Sequence, residues 1–128
     1  METYTVATFG EAEKGDYSTP YFCRNLPELI DCLGNPPSHS HGLHCAIQAL
    51  LYRRNLIFLR VREEGFSFQD YANGLKSLER SCLLPTITAV CLPGVGEHKI
   101  LDLVDSLCLV HHHIILTNEA DLYDYLVQ

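Results

Sequence analysis

The sequence predicts a three-layer α/β sandwich around a mostly parallel sheet of four or five strands. Two observations carry this. The last 73 residues read as strand, helix, strand, helix, strand, helix with almost no slack. The connections between the apolar runs each contain a helix, and a crossover of that kind joins parallel strands.

The elements follow in order. Tyr4 to Phe9 is rich in β-branched and aromatic residues and has strand composition. Its place in the sheet is open, with antiparallel pairing at an edge as one arrangement. Gly10 to Ser18 is polar and glycine-containing, a turn or loop, and Tyr21-Phe22-Cys23 is a second short strand. Asn25 is placed to cap a helix with Pro27 and Glu28 in its first turn; Leu26, Leu29, Ile30 and Leu33 share one face. Gly34 ends that helix, and Pro36-Pro37 prevent its continuation.

After a loop at Ser38 to His41, a helix is expected from Gly42 to Arg54, with Leu43, Ala46, Ile47, Leu50 and Leu51 on one side. Leu56 to Val61 is the next strand. Ser67 to Ser81 has helical spacing, with Phe68, Tyr71, Ala72, Leu75, Leu78 and Cys82 inward and Ser67 and Asp70 resembling a capping box. Ile87 to Cys91 is a strand and Glu97 to Leu109 a helix burying Ile100, Leu101, Val104, Leu107 and Cys108. Ile114-Ile115-Leu116 is the last strand, and Asp121 to Leu126 closes the chain as a turn or two of helix. The whole has the general layering called Rossmann-like or flavodoxin-like, with helices on both faces, and its 128 residues fit one domain.

Composition narrows the partners. Lys and Arg number 9 against 16 Asp and Glu, a net charge of −7 without a basic cluster, so nucleic-acid binding is not expected. No apolar run approaches the roughly 20 residues of a membrane span. Met1-Glu2-Thr3-Tyr4 lacks the positive flank and apolar core of an export signal. The six cysteines contain no CxxC pair and mostly sit on apolar stripes, as reduced thiols in a cytoplasmic protein do.

In a parallel sheet a site is built at the carboxyl ends of the strands. Three strand exits supply candidates: Glu63 and Glu64 after the first run, Gly94, Gly96, Glu97 and His98 after the second, Thr117 and Asn118 after the third. Paired carboxylates hold divalent metal or act as acid and base, but alternation sends Glu63 and Glu64 to opposite faces, and Arg60 and Arg62 stand ready to neutralise them. Glycines ahead of a helix let the backbone approach a phosphate. The dinucleotide fingerprint and the Walker pattern are both missing, and Glu97 already supplies negative charge to its helix start.

His41 and His44, with Cys45, share one side of the second helix start and form a possible metal pair. That start should lie near the same rim as Glu63 and Glu97. His111-His112-His113 falls at the opposite rim. A GxSxG elbow is absent, and Cys91 reads as a core cysteine. A response-regulator receiver would need an Asp where Cys91-Leu92-Pro93 stands.

Two functional readings emerge. The first is a small cytoplasmic protein-interaction or regulatory domain, without cofactor, that meets a protein partner or a second copy through an acidic, tyrosine-bearing surface. The second is a metal-assisted hydrolase or phosphate- or nucleotide-binding protein using the strand-exit rim.

Overall fold

A computed structural model of the protein describes residues 5–35, 37, 40–111 and 114–127, without the side chains of 119, 120 and 125. It is α/β, with five strands in the order β2-β3-β1-β4-β5. The strands are β1 (Thr5–Gly10), β2 (Pro20–Cys23), β3 (Asn55–Arg60), β4 (Ala89–Cys91) and β5 (Ile115–Thr117). The helices are α1 (Leu26–Leu33), α2 (Gly42–Leu51), α3 (Phe68–Arg80), α4 (His98–Val110) and α5 (Glu119–Leu126), with a 3-10 turn at Leu84–Thr86.

β1 is not an edge strand. It lies between β3 and β4, parallel to both, with Thr5 opposite Asn55, Gly10 opposite Arg60 and Thr8 opposite Cys91. The antiparallel edge is β2, paired with β3 from Pro20 opposite Leu59 to Cys23 opposite Leu56. Pro20 opens that edge strand, where a missing N–H costs least. β5 pairs parallel with β4.

Alternation along β1 divides the core. Ala7 and Phe9 join an apolar cluster with Tyr71, Leu75 and Leu78 of α3 and Ile100, Val104 and Leu107 of α4. Val6, with Phe58 and Cys91, joins a second cluster containing Leu29 and Leu33 of α1, Ala46 and Ala49 of α2 and Leu122 and Leu126 of α5. Each fully buried Leu, Ile or Phe contributes about 1.5–3 kcal/mol of burial free energy.

α1 is capped as its sequence suggests: Asn25 Oδ1 accepts the Glu28 N–H at 3.0 Å, and the Gly34 N–H bonds Ile30 O. α2 ends at Leu51, three residues short of the expected Arg54. Its stop is a left-handed residue, Arg53 at φ 61°, with the Arg54 N–H reaching back to Ala49 O. α3 stops the same way on Cys82 at φ 55°, with the Leu83 N–H on Leu78 O. Glycine is the usual residue for that position, and no glycine marks either end. Ser67 forms no capping box. Its hydroxyl bonds Glu63, while Asp70 turns back to Arg62.

No helix among the described residues is long and apolar enough to cross a membrane.

Candidate functional site at the carboxyl rim of the sheet

β1, β3, β4 and β5 run the same way, so their exits share one rim. The chain leaves β1 toward β3 and later returns to β4 on the other side. The crevice of such a sheet lies where the order reverses, between the exits of β1 and β4.

That place is filled by the exit of β3. Both glutamates lie in the turn beyond β3, where strand alternation no longer applies, and they still part: Glu63 is exposed and Glu64 is buried. The Glu64 carboxylate sits on the first turn of α2. Oε1 accepts the Gly42 N–H at 2.8 Å and the Ser40 hydroxyl at 3.2 Å; Oε2 accepts the His41 N–H at 2.8 Å. Oε1 also takes a longer bond from the Glu11 N–H at 3.4 Å. Glu11 returns the contact, its Oε2 accepting the Glu64 N–H at 3.0 Å. Two orphan donors of α2 are thereby met by a negative group, which also opposes the positive end of the helix dipole.

The helix can reach this carboxylate because two glycines meet. A Cβ on Gly42 would lie 2.6 Å from the Gly10 Cα and 2.7 Å from Glu64 Oε1. Beyond Glu64, Gly65 (φ 92°) abuts the Gly94 carbonyl so closely that a Cβ there has no room. The β3 and β4 exits therefore touch over the end of β1.

Beneath them Tyr71 is buried, stacked on Phe9 with ring centroids 5.1 Å apart, and its hydroxyl accepts the Gly65 N–H at 2.8 Å. Burial pushes the Tyr71 hydroxyl well above its ordinary value, with Glu64, Glu11 and Asp70 adding to the rise and the Gly65 bond opposing it. Buried Asp70 pairs with the Arg62 guanidinium and accepts the Arg62 N–H at 2.8 Å. Arg60 donates to Gly15 O at 2.6 Å, and both arginines lie 4.4 Å from the Tyr17 ring centroid. The sequence suggested that these arginines neutralise Glu63 and Glu64; among the described residues they serve Asp70 and Gly15 O instead.

The β4 and β5 exits frame a cavity of ≈ 280 Å³, lined by Leu92, Val95, Leu101, Leu116, Thr117, Asn118 and Asp121. Thr117 and Asn118 thus share a concavity, though Asn118 Oδ1 is occupied by the Asp121 N–H at 2.8 Å. Gly94 (φ 73°) and Gly96 are exposed. Glu97 stands at the N-cap of α4 without a side-chain cap bond, and His98 is exposed. The side chains of Glu63, Glu97 and His98 form no hydrogen bond or ion pair among the described residues. His41 and His44 both lie exposed at the start of α2, and among the described residues no group of three or more His, Cys, Asp or Glu is placed to hold a metal ion. His112 and His113 lie outside the described residues.

Sequence reasoning missed Glu11, which is 53 residues from Glu64. The one signal was Gly10 at the end of β1, since a glycine there permits a close approach by another backbone.

No protein-family model, curated protein or solved structure matches this chain.

Proposed function

We propose that the protein is a cytoplasmic protein-interaction or regulatory domain of three-layer, Rossmann-like or flavodoxin-like build. The observation that carries this reading is the plugged crevice. At the point where an α/β enzyme of this layering would receive its ligand, Glu64 is spent on the start of α2, and Gly65 closes against Gly94. A preorganised catalytic group needs a free face toward substrate, and this carboxylate has used its oxygens on its own chain.

Exposed apolar side chains gather elsewhere. Leu109 and Val110 at the end of α4 are 73 % and 74 % exposed, and Ile115, which opens the edge strand β5, is 54 % exposed. Leu51 and Tyr52 end α2, and Val127 follows α5. Helices run opposite to the strands they feed, so these ends belong to the amino rim, away from Glu64. Apolar and tyrosine-bearing surface is what a protein partner or a second copy would cover.

The cavity at Thr117 and Asn118 favours the second reading, a ligand binder at the β4 and β5 exits. One pair of measurements separates them. A photo-crosslinking residue at Ile115, compared with one at Lys76 on the exposed side of α3, is expected to give an adduct with a protein or with another copy only from Ile115. Thermal melts with divalent metals, phosphate and nucleotides are expected to show no shift. A clear stabilising shift that is lost on altering Thr117, with no adduct at Ile115, would refute the interaction reading.

A further inference from the structure

β5 is the last strand of the sheet, beside β4. The Ile115 N–H donates to Thr88 O at 3.0 Å, and Thr117 O accepts the Leu92 N–H at 3.1 Å. These two residues turn their backbone groups toward β4, so alternation sends the Leu116 N–H and C=O to the free edge. An open edge is a template for another strand, and edges are commonly blunted by Lys, Pro or a bulge. The opposite edge, β2, opens on Pro20. β5 has neither Lys nor Pro, pairs in unbroken register, and exposes Ile115.

Charge decides what this edge can take. From Ser106 to Asn118 the chain has no Asp, Glu, Lys or Arg. β5 touches α4, which covers the Ala7 and Phe9 face of the sheet, and α5, which covers the Val6 face. Asp102 and Asp105 are exposed on α4, Asp121 and Asp124 on α5. From Ile100 to Gln128 there is no Lys or Arg at all. Arg54 reaches this segment from outside it, donating to Leu126 O at the end of α5. The edge is thus apolar in the middle and acidic on the helices at either face.

We propose that β5 receives, by strand addition, an extended segment of a partner protein whose apolar residues are flanked by Lys or Arg. This deepens the interaction reading above and rests on it. The main chain of the segment bonds the Leu116 N–H and C=O, its apolar side chains cover Ile115, and its flanking cations meet the aspartates of α4 and α5. A second copy of this chain fits worse, since edge against edge both copies bring aspartates and this segment of neither brings a cation.

The test is a selection from phage-displayed random peptides on the full chain at neutral pH and low salt, after depletion on Ile115→Asp. Ile115 is exposed, so that variant should keep its circular dichroism and melting temperature, and its added acid does not repel cations. The peptides retained are expected to alternate apolar and polar residues between Lys or Arg. A synthetic peptide of the enriched sequence should slow deuterium exchange at the Leu116 amide and bind more weakly as salt rises. It should lose about threefold in affinity when Asp105→Asn and Asp124→Asn are combined. Peptides enriched without regard to charge, an enriched peptide that leaves the Leu116 amide unprotected, no peptide at all, or a dimer in sedimentation that Ile115→Asp dissolves would each overturn the proposal. The Ile115 photo-adduct does not depend on the charge of the partner. An adduct without basic peptides removes this proposal alone; neither adduct nor peptide removes the interaction reading with it.

Discussion

Replacing Glu64 tests the rim most directly. Glu64→Gln keeps the shape of the side chain but removes its charge and turns one acceptor into a donor. That NH₂ must face either the His41 N–H or the Gly42 N–H, both now bonded at 2.8 Å. Loss of a partly buried charge at a helix start costs up to about 2 kcal/mol. A buried N–H left without an acceptor costs about 1–3 kcal/mol more. The sum, roughly 1–5 kcal/mol, is a large share of the 5–15 kcal/mol expected for a domain, and the melting temperature should fall by about 10 °C. Urea unfolding followed by circular dichroism measures it. Glu64→Ala goes further by opening an anion-sized space at the α2 start. Sulfate should then restore stability to that variant more than chloride at equal ionic strength, and more than it does for the unaltered chain. A loss below about 0.5 kcal/mol for either variant, or no preference for sulfate, would show that the carboxylate is not holding the helix.

Four further outcomes are expected. Gly42→Ala should destabilise the chain despite alanine's better helix propensity, because its Cβ meets the Gly10 Cα at 2.6 Å; a urea midpoint at or above that of the unaltered chain would contradict the close approach. Gly94→Ala should cost about 1–2 kcal/mol from its φ of 73°, whereas Gly96→Ala, with open space around it, should be neutral within about 0.5 kcal/mol; the two midpoints measured side by side decide this. Cys82→Gly should raise stability by about 1 kcal/mol by relieving a left-handed residue at the end of α3, read as a higher melting temperature in reducing buffer. Stability should also fall at high pH. Folded Cys23 and Tyr71 keep protons that the unfolded chain has already released, so the native state binds more protons above their ordinary values of 9.0 and 10.0. The stability held below pH 9 is then lost toward pH 12, by up to about 1.4 kcal/mol per pH unit for each retained proton. Urea midpoints at pH 8, 10 and 11 follow the decline, and Tyr71→Phe should flatten the tyrosine share of it.

Much of this was written along the chain. Alternation of short apolar runs with amphipathic stretches requires helical crossovers, and crossovers of one sense put the strand exits on one rim whatever the partners of each strand. Helix lengths placed the start of α2 near the same rim. Asn25, Pro27 and Gly34 bounded α1 because capping is local chemistry.

What the tertiary structure decided was everything that depends on neighbours distant in sequence. Which of the two glutamates turns inward follows from Gly10 and Gly42 meeting, and neither position signals the other. The central place of β1 depends on β3 and β4 choosing opposite sides of it, a choice that strand composition does not encode. Arg53 and Cys82, both exposed, end their helices left-handed against their intrinsic preference, as the next N–H closes back on Ala49 O and Leu78 O. Short-range pattern fixes direction and element type; the pairing of surfaces follows from the competition among all buried contacts at once, and it is there that the rim becomes filled.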